Sequence, residues 1–421
     1  MLNPKTNERE LAYVVTVDAI EPISGRDRVE CARVGGWTCM VPKGAFKAGD
    51  PGIYFEIDSQ VPVDKDPFKF CEKYKGHIKT QKFKTPDGQF WSQGLLMPAS
   101  EFGWTVESAQ FAGGIFFIVD EKGVKHFADD ESAFLTKQLG ITYYEVEDQK
   151  RKSASTVDKY KKMAQRHPTL FQKPFVKWLY KRNWGKKILF LFFGKKKDKM
   201  SWIPEVKKTD EERIENRSWT LQDQDTKWIA TEKVDGSSST FHLRRGSVFK
   251  KPEYFVCSRN VVFDTPEAND KNYYKDTIGN IWLEMSAKYN IKEKLQQLLN
   301  ERPSAEWVTL QAETFGAGVQ KRDYGLKDHE IRVFNLIYSD CGRVGTLEMK
   351  KILDKIGLPC VPIISEGMIL PQTIEELRAF VHSAPSQIDG GMKEGIVFRT
   401  LDGTDSFKCV DPEFLVRFHN N

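Results

Sequence analysis

The apolar positions at the start of the chain come in short runs separated by turn residues. Leu11-Ala12-Tyr13-Val14-Val15-Thr16-Val17 is rich in β-formers and is followed by the turn Pro22-Ile23-Ser24-Gly25. Val29-Glu30-Cys31-Ala32-Arg33-Val34 sets a polar Glu30 between Val29 and Cys31, and Gly35-Gly36 then turns the chain into Trp37-Thr38-Cys39-Met40-Val41. Gly49-Asp50-Pro51-Gly52 leads into Ile53-Tyr54-Phe55-Glu56-Ile57, and Lys79 to Lys84 and Ser92 to Met97 add further strand candidates. Short strands at close spacing with Gly/Pro turns predict a small, decorated antiparallel barrel that fills most of residues 1–149.

The period changes over residues 150–201. Phe175, Trp178 and Leu179 recur at i, i+3 and i+4, interleaved with Lys173, Lys177, Lys181 and Arg182. That spacing predicts an amphipathic helix, with the lysines outward and the aromatic residues docked on a neighbouring domain. Gripping nucleic acid and lying on a membrane surface are the alternatives for this segment. From Trp202 to Asn421 strands and helices mix. Strands are expected around Lys233 and over Thr240–Leu243, Thr309–Glu313, Ile331–Tyr338 and Gly395–Arg399, with helices over Lys288–Leu299 and Ile374–His382. This reads as one α+β domain.

Charge sharpens the division. The net charge is +5, yet residues 150–200 carry 17 Lys+Arg against two Asp, a surplus of 15, so the rest of the chain carries −10. A polyanionic partner is the functional reading of that segment, and a solvated helix face the structural one. The seven cysteines (Cys31, Cys39, Cys71, Cys257, Cys341, Cys360, Cys409) are scattered and form no Cys-x-x-Cys pair. They point to reduced thiols and an intracellular location, cytoplasmic or nuclear, and exclude a zinc-ribbon pattern. The start, Met1-Leu2-Asn3-Pro4-Lys5, lacks the apolar core of a signal peptide. The longest apolar run, Ile188–Phe193, is too short to span a bilayer, so no integral membrane segment is expected. None of the seven histidines stands in a metal-ligand or triad pattern.

Chemistry is concentrated in Thr231-Glu232-Lys233-Val234-Asp235-Gly236 and in the segments downstream of it: Cys257-Ser258-Arg259-Asn260, Ala312-Glu313-Thr314-Phe315-Gly316, Val333-Phe334-Asn335, Lys393-Glu394-Gly395-Ile396-Val397 and Ser406-Phe407-Lys408. Taken singly, each has an ordinary structural reading. Asp235-Gly236 is a turn, Phe334 a core residue of an apolar strand, Glu313 and Glu394 surface carboxylates, and Arg259 a surface ion pair. As an ordered set, roughly over residues 205–415, they resemble the covalent nucleotidyltransferase superfamily of DNA ligases, RNA ligases and mRNA-capping enzymes. Lys208-Thr209-Asp210-Glu211-Glu212-Arg213-Ile214-Glu215-Asn216 looks like the lead-in segment of ATP-dependent RNA ligases. Val34-Gly35-Gly36-Trp37 and Lys43–Asp50 look like the N-terminal OB module of one RNA ligase class. In that class the barrel precedes the catalytic domain, and here the chain runs only 13 residues past Lys408, which leaves no room for a barrel after it.

The resemblance implies an α+β architecture: an OB-like β-barrel over 1–149, a basic aromatic helical linker over 150–201, and a two-sheet, ATP-grasp-like adenylyltransferase domain over 202–421. It implies that Lys233 attacks the α-phosphorus of ATP and forms lysyl–AMP, that AMP passes to an RNA 5′-phosphate, and that an RNA 3′-hydroxyl then seals the strand. The amine must be neutral to attack, so nearby positive charge, a divalent ion or Lys408, is expected to depress its pKa. Asp235, Glu313 and Glu394 are the carboxylates for magnesium or manganese, with ribose binding as the alternative for Asp235. By the same resemblance Glu232 reads the adenine amino group, Arg259 contacts ribose or phosphate, Phe334 and Val397 cover the two faces of adenine, and Lys408 faces the α-phosphate. The family's last element often carries Lys-x-Lys. Here Ser406 and Val410 flank Lys408, and Arg399 is the candidate second cation. The expected partner is a pair of RNA ends, nicked or held in a duplex, bound by a monomer. A DNA nick-sealing ligase and a nucleic-acid-binding protein with a degenerate ligase domain are the alternatives.

Overall fold

A computed structural model describes residues 1–6, 8–108, 116–128, 130–144, 168–171, 173–193, 202–247, 250–263 and 280–419. In the N-terminal part, strand Ala12–Thr16 pairs antiparallel with Pro51–Phe55, which pairs in turn with Leu95–Met97. Both faces of this sheet are covered. Tyr13, Val15 and Tyr54 pack inward with Trp37, Cys39 and Val41, while Ala12, Val14, Ile53 and Phe55 pack with Phe68, Trp104, Ile118 and Leu135. Two-sided burial explains why these strands read as continuous apolar runs and not as alternation. Arg26–Val34 pairs with Ala19–Ile23 on one side and Trp37–Pro42 on the other. The strand expected over Ser92–Met97 is broken. Gly88–Ser92 belongs to a hairpin with Gln81–Thr85, and Gly94, at φ +84°, turns where an added Cβ would lie 2.5 Å from the Tyr54 hydroxyl.

The basic segment lies largely outside the described residues. Within them it forms helices Pro168–Phe171, Pro174–Tyr180 and Asn183–Phe193, which share a small core of Val176 and Leu189. The expected docking of its aromatic residues does not occur, since Phe175, Trp178 and Trp184 are exposed.

The C-terminal part carries two five-stranded sheets. One has the order Glu212–Arg213, Ser406–Val410, Gly395–Thr400, Trp228–Lys233, Ile363–Met368. The other runs Glu253–Cys257, Ser237–Arg244, Trp307–Gly316, His329–Tyr338, Gly342–Arg343. Helix Ile374–Ser383 packs Ile374, Leu377 and Val381 behind the first sheet against Trp228, Ala230, Phe398 and Phe407. Helices Ile281–Lys288, Ile291–Glu301 and Thr346–Ile356 cover the back of the second. The helix expected over Lys288–Leu299 runs from Ile291 to Glu301, and Asn290, at a left-handed φ of 49°, separates it from the helix that ends at Lys288. The free faces of the two sheets bound a cleft.

The barrel is locked to the lead-in segment of the catalytic part. Asn216 Oδ1 accepts from the Trp37 indole at 2.7 Å and the Tyr13 hydroxyl at 3.0 Å, and its Nδ2 donates to buried Glu56 at 2.7 Å. The Gly36 N–H donates to the Glu215 carbonyl at 2.8 Å. A Cβ at Gly36 would sit 2.1 Å from Ile374 Cδ1. Gly-Gly-Trp is therefore an interdomain contact as much as a turn. No helix among the described residues is long and apolar enough to cross a membrane.

Candidate active site

Alternation along Trp228–Lys233 decides what reaches the cleft. Trp228 and Ala230 point into the helix-backed core, so Ile229, Thr231 and Lys233 point the other way. On the neighbouring strands Ile396, Phe398, Phe407 and Cys409 are core, which leaves Val397, Arg399, Ser406 and Lys408 on the cleft face. The cleft has a volume of about 1740 Å³, and Lys233, Asp235, Arg259, Glu313, Phe334, Glu394, Val397 and Lys408 all line it. Phe334, next to core residue Val333 on the opposite sheet, offers a half-buried ring to the same space. Gly236 is required by contact: a Cβ there would lie 2.3 Å from the Thr314 carbonyl.

Around Lys233 the field is negative. Its ammonium donates to Glu394 at 2.5 Å. Burial pulls its pKa down, but Glu394, Glu313 and Asp235 together raise it above the ordinary lysine value. The expected depression is therefore absent from the chain's own groups, because the three carboxylates outweigh burial. Glu313 takes the opposite consequence. Burial, with the charges of Glu394 and Asp235, pushes its carboxyl up to about 8 against the pull of Lys233. Asp235 Oδ1 meets His419 Nε2 at 3.2 Å, and its Oδ2 is buried with no hydrogen-bond partner.

Asp235, Glu394 and His419 bring one ligand atom each within 4.8 Å of one another. This oxygen-rich, orphan-bearing group fits a divalent ion. Glu313 stands beside that set rather than in it, and His419, to which the sequence assigned nothing, joins it. Glu394 is presented by its neighbour: Lys393 is buried and donates to the carbonyls of Val381 and Ala384 at the end of helix Ile374–Ser383.

Around Asp210 the field is positive. Its carboxylate accepts from Lys408 at 2.7 Å, from Arg9 of the N-terminal part at 2.9 Å and from Arg259 at 3.2 Å. Despite its burial, these cations hold it well below the usual carboxylate range. Lys408 is lowered to about 8, chiefly by burial and then by Arg9, Arg213 and Lys233, although Asp210 supports its charge. Arg213 stands directly opposite Lys408 in the parallel pairing of Glu212–Arg213 with Ser406–Val410. It is the nearest cation in register, and the sequence had it within the lead-in motif without a role. Arg399 reaches the cleft face but is committed to the Phe334 carbonyl at 2.7 Å and to Glu211 at 2.9 Å.

Glu232, next to Lys233 in the strand, also lines the cleft, and its carboxylate accepts from Ser386 Oγ and the Gln387 N–H at 2.6 and 2.8 Å. Arg9 and His419 had no sequence signal at all.

Residues 226–410 match the model of the RNA ligase family, and residues 11–99 match an OB-fold domain model. No curated protein matches the sequence significantly. Among solved structures, a Naegleria gruberi RNA ligase variant with ATP and Mn aligns at TM-score 0.67 and 24% identity, over 98% of this chain and 100% of that one. The same ligase with pyrophosphate aligns at TM-score 0.66 and 24% identity, with the same coverage. A variant with AMP and Mn aligns at TM-score 0.66 and 24% identity. These likenesses share the fold from the barrel through both sheets. Residues 226–410 are thus similar to the RNA ligase family, and residues 11–99, in front of them, to an OB-fold domain.

Proposed function

We propose that the chain is an ATP-dependent RNA ligase that joins 3′-OH and 5′-phosphate ends through a lysyl–AMP intermediate. The observation that carries this reading is Lys233 at a strand end, 2.5 Å from Glu394, in a cleft that also holds Phe334, Val397, Arg259 and Lys408. Adenine sits between Phe334 and Val397, and the Arg259 fork takes ribose or phosphate oxygens. Lys408 and Arg213 face the α-phosphate, so the second cation comes from the neighbouring strand in place of a second lysine two positions away.

Asp235 and Glu394, with His419, would hold a divalent ion, with Glu313 beside them. When bound, that ion supplies positive charge to the phosphate oxygens and offsets the carboxylates' hold on the Lys233 proton. Neutral Lys233 Nζ then attacks the α-phosphorus as the bond to pyrophosphate breaks, giving a phosphoramidate. Lys408 and Arg213 meet the charge that builds on the phosphorus oxygens. AMP passes to the RNA 5′-phosphate, and attack by the RNA 3′-hydroxyl forms the phosphodiester and releases AMP.

The finer reading is a monomer acting on nicked or duplex-held RNA inside the cell. It is supported by a site whose groups all come from one chain and by seven free cysteines. The test is incubation with labelled ATP: a covalent AMP adduct is expected on the full chain and is lost in Lys233→Ala. An intact protein that forms no adduct defeats the enzyme reading. Equal sealing of RNA-ended and DNA-ended nicks defeats the RNA assignment.

A further inference from the structure

The helical hairpin between the two domains has two apolar faces, and its own packing uses only one. Val176 of helix Pro174–Tyr180 and Leu189 of helix Asn183–Phe193 form the inner contact. The helices are close enough that a Cβ on Gly185 would lie 2.1 Å from the Leu179 carbonyl. The hairpin is thus a built unit and not a stretch of loose chain.

The other face of Asn183–Phe193 carries Trp184, Ile188, Leu191 and Phe192, at i, i+4, i+7 and i+8, the spacing of a continuous helical stripe. All four are exposed, Leu191 at 71% and Phe192 at 72%. Trp178 extends the stripe across the hairpin by an edge contact with Trp184, their centroids 6.2 Å apart, and Phe175 stacks on Trp178 at 5.9 Å. Arg182 lies over the Trp178 ring at 3.8 Å. Beside the stripe stand Lys173, Lys177, Lys181, Lys186 and Lys187, and residues 168–193 contain no Asp or Glu.

We propose that this face is a docking surface for an anionic lipid bilayer. An exposed apolar stripe with tryptophan on it, bordered only by cations, matches a helix lying in the headgroup layer: aliphatic and aromatic side chains enter the acyl boundary while lysines meet lipid phosphates. A second copy of the chain docking through the same face would bring cations against cations. Single-stranded RNA would stack on Trp178 and Trp184, but it gives no partner to Ile188 and Leu191, which carry the stripe to its end.

The experiment is flotation of the full chain with vesicles of phosphatidylcholine alone and of phosphatidylcholine mixed with phosphatidylserine. Binding is expected on the anionic vesicles, weaker at high salt, and roughly tenfold or more lower for the double variant Leu191→Glu, Phe192→Glu. Formation of the AMP adduct reports that the variant is folded and is expected to be unchanged. The proposal is overturned if the wild-type chain ignores anionic vesicles, or if the double variant floats as well as the wild type. If vesicles are not bound and the double variant instead loses affinity for a single-stranded RNA, the stripe is a nucleic-acid platform and the bilayer assignment is wrong.

Discussion

Two lysines in one cleft, both on its inner face, are shifted in opposite directions. Lys233 is raised by three carboxylates, and Lys408 is lowered to about 8 among Arg9, Arg213 and Lys233. Burial disfavours the charge of both, so burial does not distinguish them. The sign of the neighbours does. One corner gathers negative charge around the proposed nucleophile, and the other gathers Lys408, Arg9 and Arg259 around Asp210. A nucleotide bridges such a pair of corners naturally: its phosphate oxygens belong among the cations, and a divalent ion belongs among the acids. Asp210 provides these cations with an internal anion.

The largest expected effect separates charge from nucleophilicity at Lys233. Lys233→Arg keeps a cation against Glu394 but has no amine able to attack, so the fold should persist while adduct formation falls by about 10⁴-fold or more. Mass spectrometry after incubation with ATP measures the adduct. A variant that still accumulates it would move the nucleophile elsewhere. Next comes Asp210→Asn, which leaves Lys408 buried against a neutral group while Arg9 keeps Glu56 and Glu212. Removal of one partner from a buried ionic set costs about 3 kcal/mol, with little added by Arg259, whose side chain is 41% exposed. Chemical denaturation of the full chain should show the loss, and an unchanged midpoint would mean that the cations are hydrated and the positive corner is not a closed unit.

Much of this was legible in the chain, for identifiable reasons. Short strands at close spacing with Gly/Pro turns announced the barrel, and an ordered set of lysine, arginine and carboxylate motifs announced the cleft. Other parts were hidden by geometry. The donors that hold Glu232, Ser386 Oγ and the Gln387 N–H, lie 154 and 155 residues downstream, where no local pattern points to them. His419 and Arg9 arrive from opposite ends of the chain, and no local pattern encodes contacts 184 and 201 residues apart. Arg213 stands inside the lead-in motif, but its role emerges only from the strand pairing that sets it beside Lys408. The aromatic residues of 175–184 have the spacing of a docking face, and only the structure shows that face turned outward.

Arg213 offers a smaller and more specific test of the positive corner. If it stands in for a second lysine, Arg213→Ala should slow adduct formation roughly 10- to 100-fold, as loss of a charge-assisted contact to phosphate implies. Arg213→Lys should restore part of that rate. Arg213 also approaches Asp58 at 3.5 Å and is buried, so a purely structural role would lower stability without changing the single-turnover rate of folded protein. The rate constant, not the yield, is the deciding measurement.

The smallest expected effect is a pH dependence that belongs to one corner only. Lys408, lowered to about 8, is protonated below that pH and loses its charge above it. Its contact with a phosphate oxygen therefore weakens as pH rises, and the KM for ATP should climb by up to about tenfold through this range, the worth of one charge-assisted hydrogen bond. Glu313 is also pushed up to about 8, so the profile of the natural chain alone would mix the two corners. Lys408→Arg separates them, because a guanidinium stays charged throughout. In that variant the rise in KM should disappear, while any change in kcat that reflects Glu313 among the acids persists. If the KM profile of Lys408→Arg still bends near pH 8, the titrating group lies among the carboxylates, and the division of the cleft into two independent corners fails.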